Sequence, residues 1–151
     1  MNLSEFTILL VEDDPDDVMN ITRAFRKAKL ANPLQIVNDG DAAVAYLEGE
    51  PPYNDRTQYP LPTLVLLDLK LPRRSGIEVL TWIRQQPQLK RLPVVILTSS
   101  TQRSDVNSAY DQYVNSYLVK PVAFDALLEL VQKVSMYWIV SNEKPDIQPA
   151  R

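Results

Sequence analysis

The sequence predicts one α/β domain: a five-stranded, all-parallel sheet in the order 2-1-3-4-5, doubly wound by helices on both faces. Three observations carry this expectation. Five short runs of branched apolar residues each precede a segment whose apolar residues recur at helical spacing, and such alternation implies parallel strands joined by helical crossovers. Runs such as TILLV, TLVLL and VVILT are continuously apolar, as strands covered on both faces must be. The residues able to do chemistry then fall at the carboxyl ends of these runs, where open parallel sheets bind ligands beside the switch between strands 1 and 3.

Each element has a local reason. Thr7–Val11 is the first strand. Asp14 and Pro15 open a helix, the aspartate as N-cap and the proline at the first helical position. Asp16 and Asp17 fall in its first turn, where the helix dipole favours negative charge, and Val18, Ile21, Phe25 and Ala28 form its buried stripe. Leu34–Asn38 is the second strand and 41–48 a short helix. The stretch EPPYNDRTQYPLP holds four prolines and reads as a long loop. Thr63–Leu67 is the third strand, ending at Asp68. KLPRRSG is a loop, and Ile77–Gln85 a helix limited by Pro87. Val94–Thr98 is the fourth strand. A helix marked by Val106, Ala109, Tyr110 and Tyr113 follows, then a fifth strand at Tyr117–Val119 and a last helix from about Phe124 to about Val140. Residues 142–151 (NEKPDIQPAR) are polar and proline-containing, so the domain is expected to span 1–141 and the remainder to form a frayed tail.

Composition excludes several kinds of chemistry. The 151 residues contain neither cysteine nor histidine, which removes disulfides, thiolate nucleophiles, histidine triads and His or Cys metal ligands. A net charge of -3 gives no general drive toward nucleic acid. The apolar runs are too short to cross a bilayer, and MNLSEF lacks the pattern of a signal peptide, so a cytoplasmic protein without a membrane partner is expected.

The notable cluster is EDDPDD, five carboxylates in the six positions from Glu12 to Asp17. Such crowding repels and raises pKa values. Asp14, Asp16 and Asp17 serve the helix start. Glu12 and Asp13 point instead toward Asp68 across the switch point. Lys120, at the end of strand 5, supplies one positive charge to three converging carboxylates, which leaves a divalent cation such as Mg²⁺ or Mn²⁺ as the remedy. Taken singly, each residue has a plain explanation as a cap, a turn or a strand end. Together, Glu12 and Asp13, Asp68, Thr98 and Lys120 end four different strands at one rim.

With those residues placed, the chain resembles the receiver domain of two-component response regulators. The matching pieces are VEDD at 11–14, LLDLKLPRRSG at 66–76, LTSS at 97–100 and YLVKP at 117–121, over roughly residues 6 to 140. The resemblance implies a flavodoxin-like receiver fold and a single-domain regulator. In it Asp68 accepts a phosphoryl group from the phosphohistidine of a sensor histidine kinase, and self-catalysed phosphotransfer and dephosphorylation are the sole chemistry. It implies Asp13 as direct metal ligand, Glu12 as its acidic neighbour acting largely through metal-bound water, and the Lys70 backbone carbonyl completing the site. Thr98 and Lys120 match the switch hydroxyl and the phosphate-binding lysine, the Ser99 backbone N–H assists, and Tyr117 matches the switch aromatic.

The last helix is apolar on two faces. Phe124, Leu127, Val131, Val134 and Trp138 suffice to line the core, which leaves Leu130, Met136, Tyr137, Ile139 and Val140 for an exposed patch and a homodimer. With the Glu-Asp pair and the long insert before strand 3, this pattern looks like the stand-alone regulators paired with cyanobacterial-type phytochromes. No output module follows up to residue 151, so action through binding another protein, or by passing the phosphoryl group on, is expected. Three rivals stay open. A magnesium-dependent aspartate-nucleophile phosphatase would normally have a second aspartate where Lys70 stands. A flavin-binding module would need a phosphate loop where EDDPDD stands. A receiver-like scaffold that is never phosphorylated retains the same residues without the reaction.

Overall fold

In the computed structural model, residues 5–147 are described. Five strands, β1 (Ile8–Val11), β2 (Leu34–Val37), β3 (Leu64–Leu67), β4 (Val94–Thr98) and β5 (Ser116–Val119), form one all-parallel sheet in the order β2-β1-β3-β4-β5. The helices are α1 (Pro15–Lys27), α2 (Gly40–Glu48), α3 (Gly76–Gln85), α4 (Arg103–Asp111) and α5 (Phe124–Ser135). Among the described residues, no helix is long and apolar enough to cross a membrane.

Alternate residues of a strand point to opposite faces, so the sheet carries two cores. Ile8 and Leu10 of β1 pack with α1 and α5, through Ile21, Phe25, Leu127 and Val131. Leu9 and Val11 pack on the other face with Ala43, Leu47, Val79 and Ala109 of α2, α3 and α4. This two-sided cover is why β1, β3 and β4 lack alternation in the sequence.

The caps form where their chemistry requires. The Asp14 side chain accepts from the Asp16 backbone N–H at 2.9 Å, with Pro15 next in line. Ser75 and Glu78 close a reciprocal capping box that starts α3. On α1 the fully buried residues are Ile21, Ala24 and Phe25, while Val18 and Ala28 lie at the margin of the stripe.

The proline-rich segment between α2 and β3 is a packed loop. The rings of Tyr46, Tyr53 and Tyr59 meet at centroid separations of 5.2–6.0 Å. Arg56 donates to the backbone carbonyls of Tyr46 and Leu47, in the last turn of α2, and of Tyr59 in the loop, which ties the loop to the carboxyl end of that helix.

Two expectations about the C-terminal region are corrected. Continuous α-helical spacing places Trp138 inside and Ile139 outside. Instead α5 continues into a π-helical turn, Met136–Ser141, whose wider step carries the buried stripe from Val134 to Ile139. Ile139 is fully buried, while Trp138, as expected, and Leu130, against expectation, are half-buried and pack against the same core. Of the predicted outward set, Met136, Tyr137 and Val140 remain exposed.

The tail also departs from expectation. Residues 142–147 do not fray: Ile147 packs against the core, and the Lys144 ammonium lies 4.5 Å from the centre of the Phe6 ring. The remaining tail positions, 148–151, lie outside the described residues.

Candidate functional site

The parallel register assembles the site. Val11 of β1 is level with Val37 and Leu67, so the next residues, Glu12 and Asp68, leave the sheet side by side. Their backbones are held there, Glu12 N–H by the Val37 carbonyl and Asp68 N–H by the Val11 carbonyl, each at 3.0 Å. Thr98 is level with Val119, and the Lys120 N–H donates to the Thr98 carbonyl at 2.8 Å.

Lys120 is the hub. Its ammonium donates to Asp17 and Asp68 at 2.8 Å each, and to Glu12. Glu12 and Asp68 are buried, as is Thr98, whereas the Asp17 side chain is 36% exposed. The Asp68 Oδ1 also receives the Lys70 backbone N–H at 3.4 Å, and the Lys70 side chain points to solvent. Ser99 is exposed at the mouth of an adjoining cavity of about 300 Å³, which Asp17, Lys120, Val122 and Phe124 also line.

The two buried carboxyls are driven apart in acidity. Burial pushes Glu12 up to about 7, against the pull of Lys120. Burial also works to raise Asp68, but the Lys120 ammonium and the Thr98 hydroxyl outweigh it and hold Asp68 below the usual carboxylate range. Lys120 would be lowered by burial alone; its three carboxylate partners raise it instead. The result is a carboxylate that stays ionised beside one that holds its proton toward neutrality, the separation that gives paired carboxyls different roles.

Not every expected residue joins this group. Glu12, Asp68, Thr98 and Lys120 do. Asp13 stands exposed beside Glu12, outside the set of carboxylate oxygens lying within 4.8 Å of one another. That set is Glu12, Asp68 and Asp17. Asp17, which the sequence explains fully as a helix-start charge, therefore has a second role. The available signal was its place in the first turn after Pro15, close to the strand end. Three carboxylates converge on one ammonium, and this excess of negative charge suits a hard divalent cation, for which Glu12 and Asp68 offer the buried oxygens.

Tyr117 sits next to the β4–α4 connection. Its hydroxyl donates to the Ser100 carbonyl at 3.0 Å, and its ring packs against the core. Ser100, a buried residue that sequence reasoning passes over, donates through its hydroxyl to Asp105 at 2.5 Å and through its N–H to the Thr98 hydroxyl oxygen at 3.5 Å. Thr98, Ser100, Tyr117 and the first turn of α4 thus form one connected network.

A family model described as the response regulator receiver domain matches residues 8–132. The chain belongs to this family. The receiver is 41% identical over 140 residues to a Methanothrix harundinacea protein named "Probable methanogenesis regulatory protein FilR2", covering 93% of this chain and 88% of that one. It is 40% identical over 138 residues to the response regulator Rcp1 of a Synechocystis species, covering 91% and 92%. Among solved structures it is similar to the phosphorylated cyanobacterial phytochrome response regulator RcpA, with TM-score 0.86, 35% identity and coverage of 93% and 99%. It is equally similar in coverage to the Mn²⁺-bound form of Rcp1, with TM-score 0.83 and 38% identity. The receiver therefore shares the five-stranded flavodoxin-like fold of these regulators, and the family is one of two-component signalling proteins.

Proposed function

We propose that this receiver is a cytoplasmic phosphoacceptor that takes a phosphoryl group onto Asp68 from a phosphohistidine of a sensor histidine kinase, of phytochrome type, and signals by a conformational switch read by another protein. One observation carries the reading: the ionised Asp68 carboxylate lies among Lys120, Glu12 and Thr98 at the carboxyl rim of the sheet. An Asp68 oxygen attacks phosphorus and the phosphorus–nitrogen bond to the donor imidazole breaks, leaving an aspartyl phosphate. Phosphoryl transfer asks a protein for alignment and charge neutralisation. Lys120 supplies one positive charge to the phosphoryl oxygens, and the Thr98 hydroxyl and Ser99 N–H supply hydrogen bonds. A divalent cation, Mg²⁺ or Mn²⁺, would supply the remaining charge neutralisation; Glu12, Asp68 and the Lys70 carbonyl would hold it, and Asp13, exposed beside Glu12, would have to turn toward them to join. A change at Thr98 passes through Ser100 to Tyr117 and α4, because hydrogen bonds already join them. The test is incubation with acetyl phosphate with and without Mg²⁺: one modified residue, Asp68, is expected, and metal is required.

The phytochrome assignment is supported by the similarity to RcpA and Rcp1, and predicts faster labelling by a phytochrome-type kinase than by unrelated histidine kinases. The exposed Lys70 argues against a phosphatase, since a carboxyl there would be the acid/base. Sustained hydrolysis of phosphomonoesters would contradict this reading.

Metal binding must expel the proton that burial keeps on Glu12. A raised carboxyl pKa means that the proton competes up to about 7. Apparent Mn²⁺ affinity is therefore expected to rise about tenfold per pH unit on approach to neutrality and to level off above it. Titration calorimetry at a series of pH values reads this directly, and a flat profile would remove Glu12 from the site.

We also propose a homodimer through the end of the last helix. Met136, Tyr137 and Val140 support it, each a large apolar side chain left exposed on the π turn. Tyr137→Asp is expected to give monomers in sedimentation while leaving thermal stability near that of the unaltered protein. Ile139→Ala, by contrast, is expected to cost about 2–5 kcal/mol of stability, because Ile139 is a core residue.

A further inference from the structure

We infer that Asp17 is a positioning residue that sets how freely Lys120 can engage the phosphoryl group. The inference rests on the phosphoacceptor reading above and adds a residue to it. An ammonium has three N–H groups, and in this site all three are committed, to Glu12, Asp17 and Asp68. Two of those partners lose their claim as the site is loaded. Glu12 and Asp68 would turn oxygens to a divalent cation if one is bound, and phosphorylation would convert one Asp68 oxygen into an anhydride oxygen that is no longer an anion. Asp17 keeps its full charge and its 2.8 Å contact.

Its location makes it a competitor. Asp17 belongs to α1, on the side of Lys120 that faces the cavity shared with Ser99. The Asp14 cap and Pro15 fix the first turn, and with it the Asp17 backbone. A phosphoryl oxygen that recruits Lys120 must draw an N–H from this carboxylate. Asp17 therefore weakens anion binding at the site, and does so through Lys120 rather than through the metal.

Beryllofluoride binding to the Mn²⁺-loaded full chain tests this. Its affinity reports capture of a phosphoryl-like group at equilibrium, and Mn²⁺ affinity is measured separately. Asp17→Asn is expected to bind beryllofluoride about fivefold more tightly, as loss of a partly exposed competing ion pair allows, with Mn²⁺ affinity falling by less than about threefold, the loss of a nearby charge rather than of a ligand. Asp17→Glu is expected to restore the weaker binding, and Asp16→Asn, which removes an exposed charge on the same turn without a Lys120 contact, to change nothing. Unchanged or weaker beryllofluoride binding in Asp17→Asn overturns the inference. So does a loss of Mn²⁺ affinity of about tenfold or more, which would make Asp17 a metal ligand, or equal tightening by Asp16→Asn, which would reduce the effect to net charge. Failure of the unaltered protein to bind beryllofluoride at all would instead overturn the phosphoacceptor reading itself.

Discussion

Asp68→Asn is expected to abolish labelling by acetyl phosphate or by a phosphorylated histidine kinase, with the fold intact. The amide has the carboxylate's shape and none of its nucleophilic charge. Lys120 keeps Glu12 and Asp17 as partners, so the buried ammonium is not stranded. Removing one of three converging carboxylates relieves the repulsion Asp68 exerts on Glu12 and forfeits its ion pair with Lys120; these oppose, and thermal stability is expected to change little. Mn²⁺ affinity is expected to fall about tenfold or more, because an anionic ligand has become neutral. Mass spectrometry of the intact protein after exposure to donor settles the main point. Undiminished labelling of the Asp68→Asn protein would mean that another group is the acceptor.

Gly76→Ala is expected to cost about 3 kcal/mol of stability and to impair phosphorylation in whatever still folds. Gly76 begins α3, directly behind Asp68. A Cβ there would lie 2.2 Å from the Asp68 carbonyl oxygen and 2.7 Å from the Leu69 Cα. Both are backbone atoms, and neither can swing aside as a side chain would. The Gly76 N–H is itself held by the Leu69 carbonyl at 2.8 Å, so the start of α3 cannot retreat without giving up that bond. Relief has to come from moving the strand end that presents Asp68. Chemical denaturation measures the loss of stability, and the labelling yield per folded molecule measures the displacement. A variant with unaltered stability and yield would show that α3 approaches the site less closely than described.

The limits of sequence reading follow the range of its signals. Strand and helix order is legible because periodicity and turn chemistry are local: TLVLL is apolar throughout, and Asp14-Pro15 can start a helix without reference to anything distant. The proline-rich segment shows the opposite case. Its composition marks a loop, yet its packing depends on three tyrosines from different positions meeting around Arg56. The tail likewise reads as polar, and only contact with Phe6 and the core shows that Lys144 and Ile147 are anchored.

By itself the sequence determined the alternating α/β order, the absence of histidine and cysteine chemistry, and the gathering of Glu12, Asp68, Thr98 and Lys120 at one rim. Tertiary structure decided which carboxylates share the ammonium and which face of the last helix is buried. Asp17 and Lys120 are 103 positions apart, and their contact exists because α1 and the end of β5 are fixed on the same side of a registered sheet. Ile139 joins the half-buried Trp138 on the core side because a π turn rotates every later side chain by about 100° relative to an uninterrupted α-helix, an adjustment made by packing that leaves no mark in the periodicity.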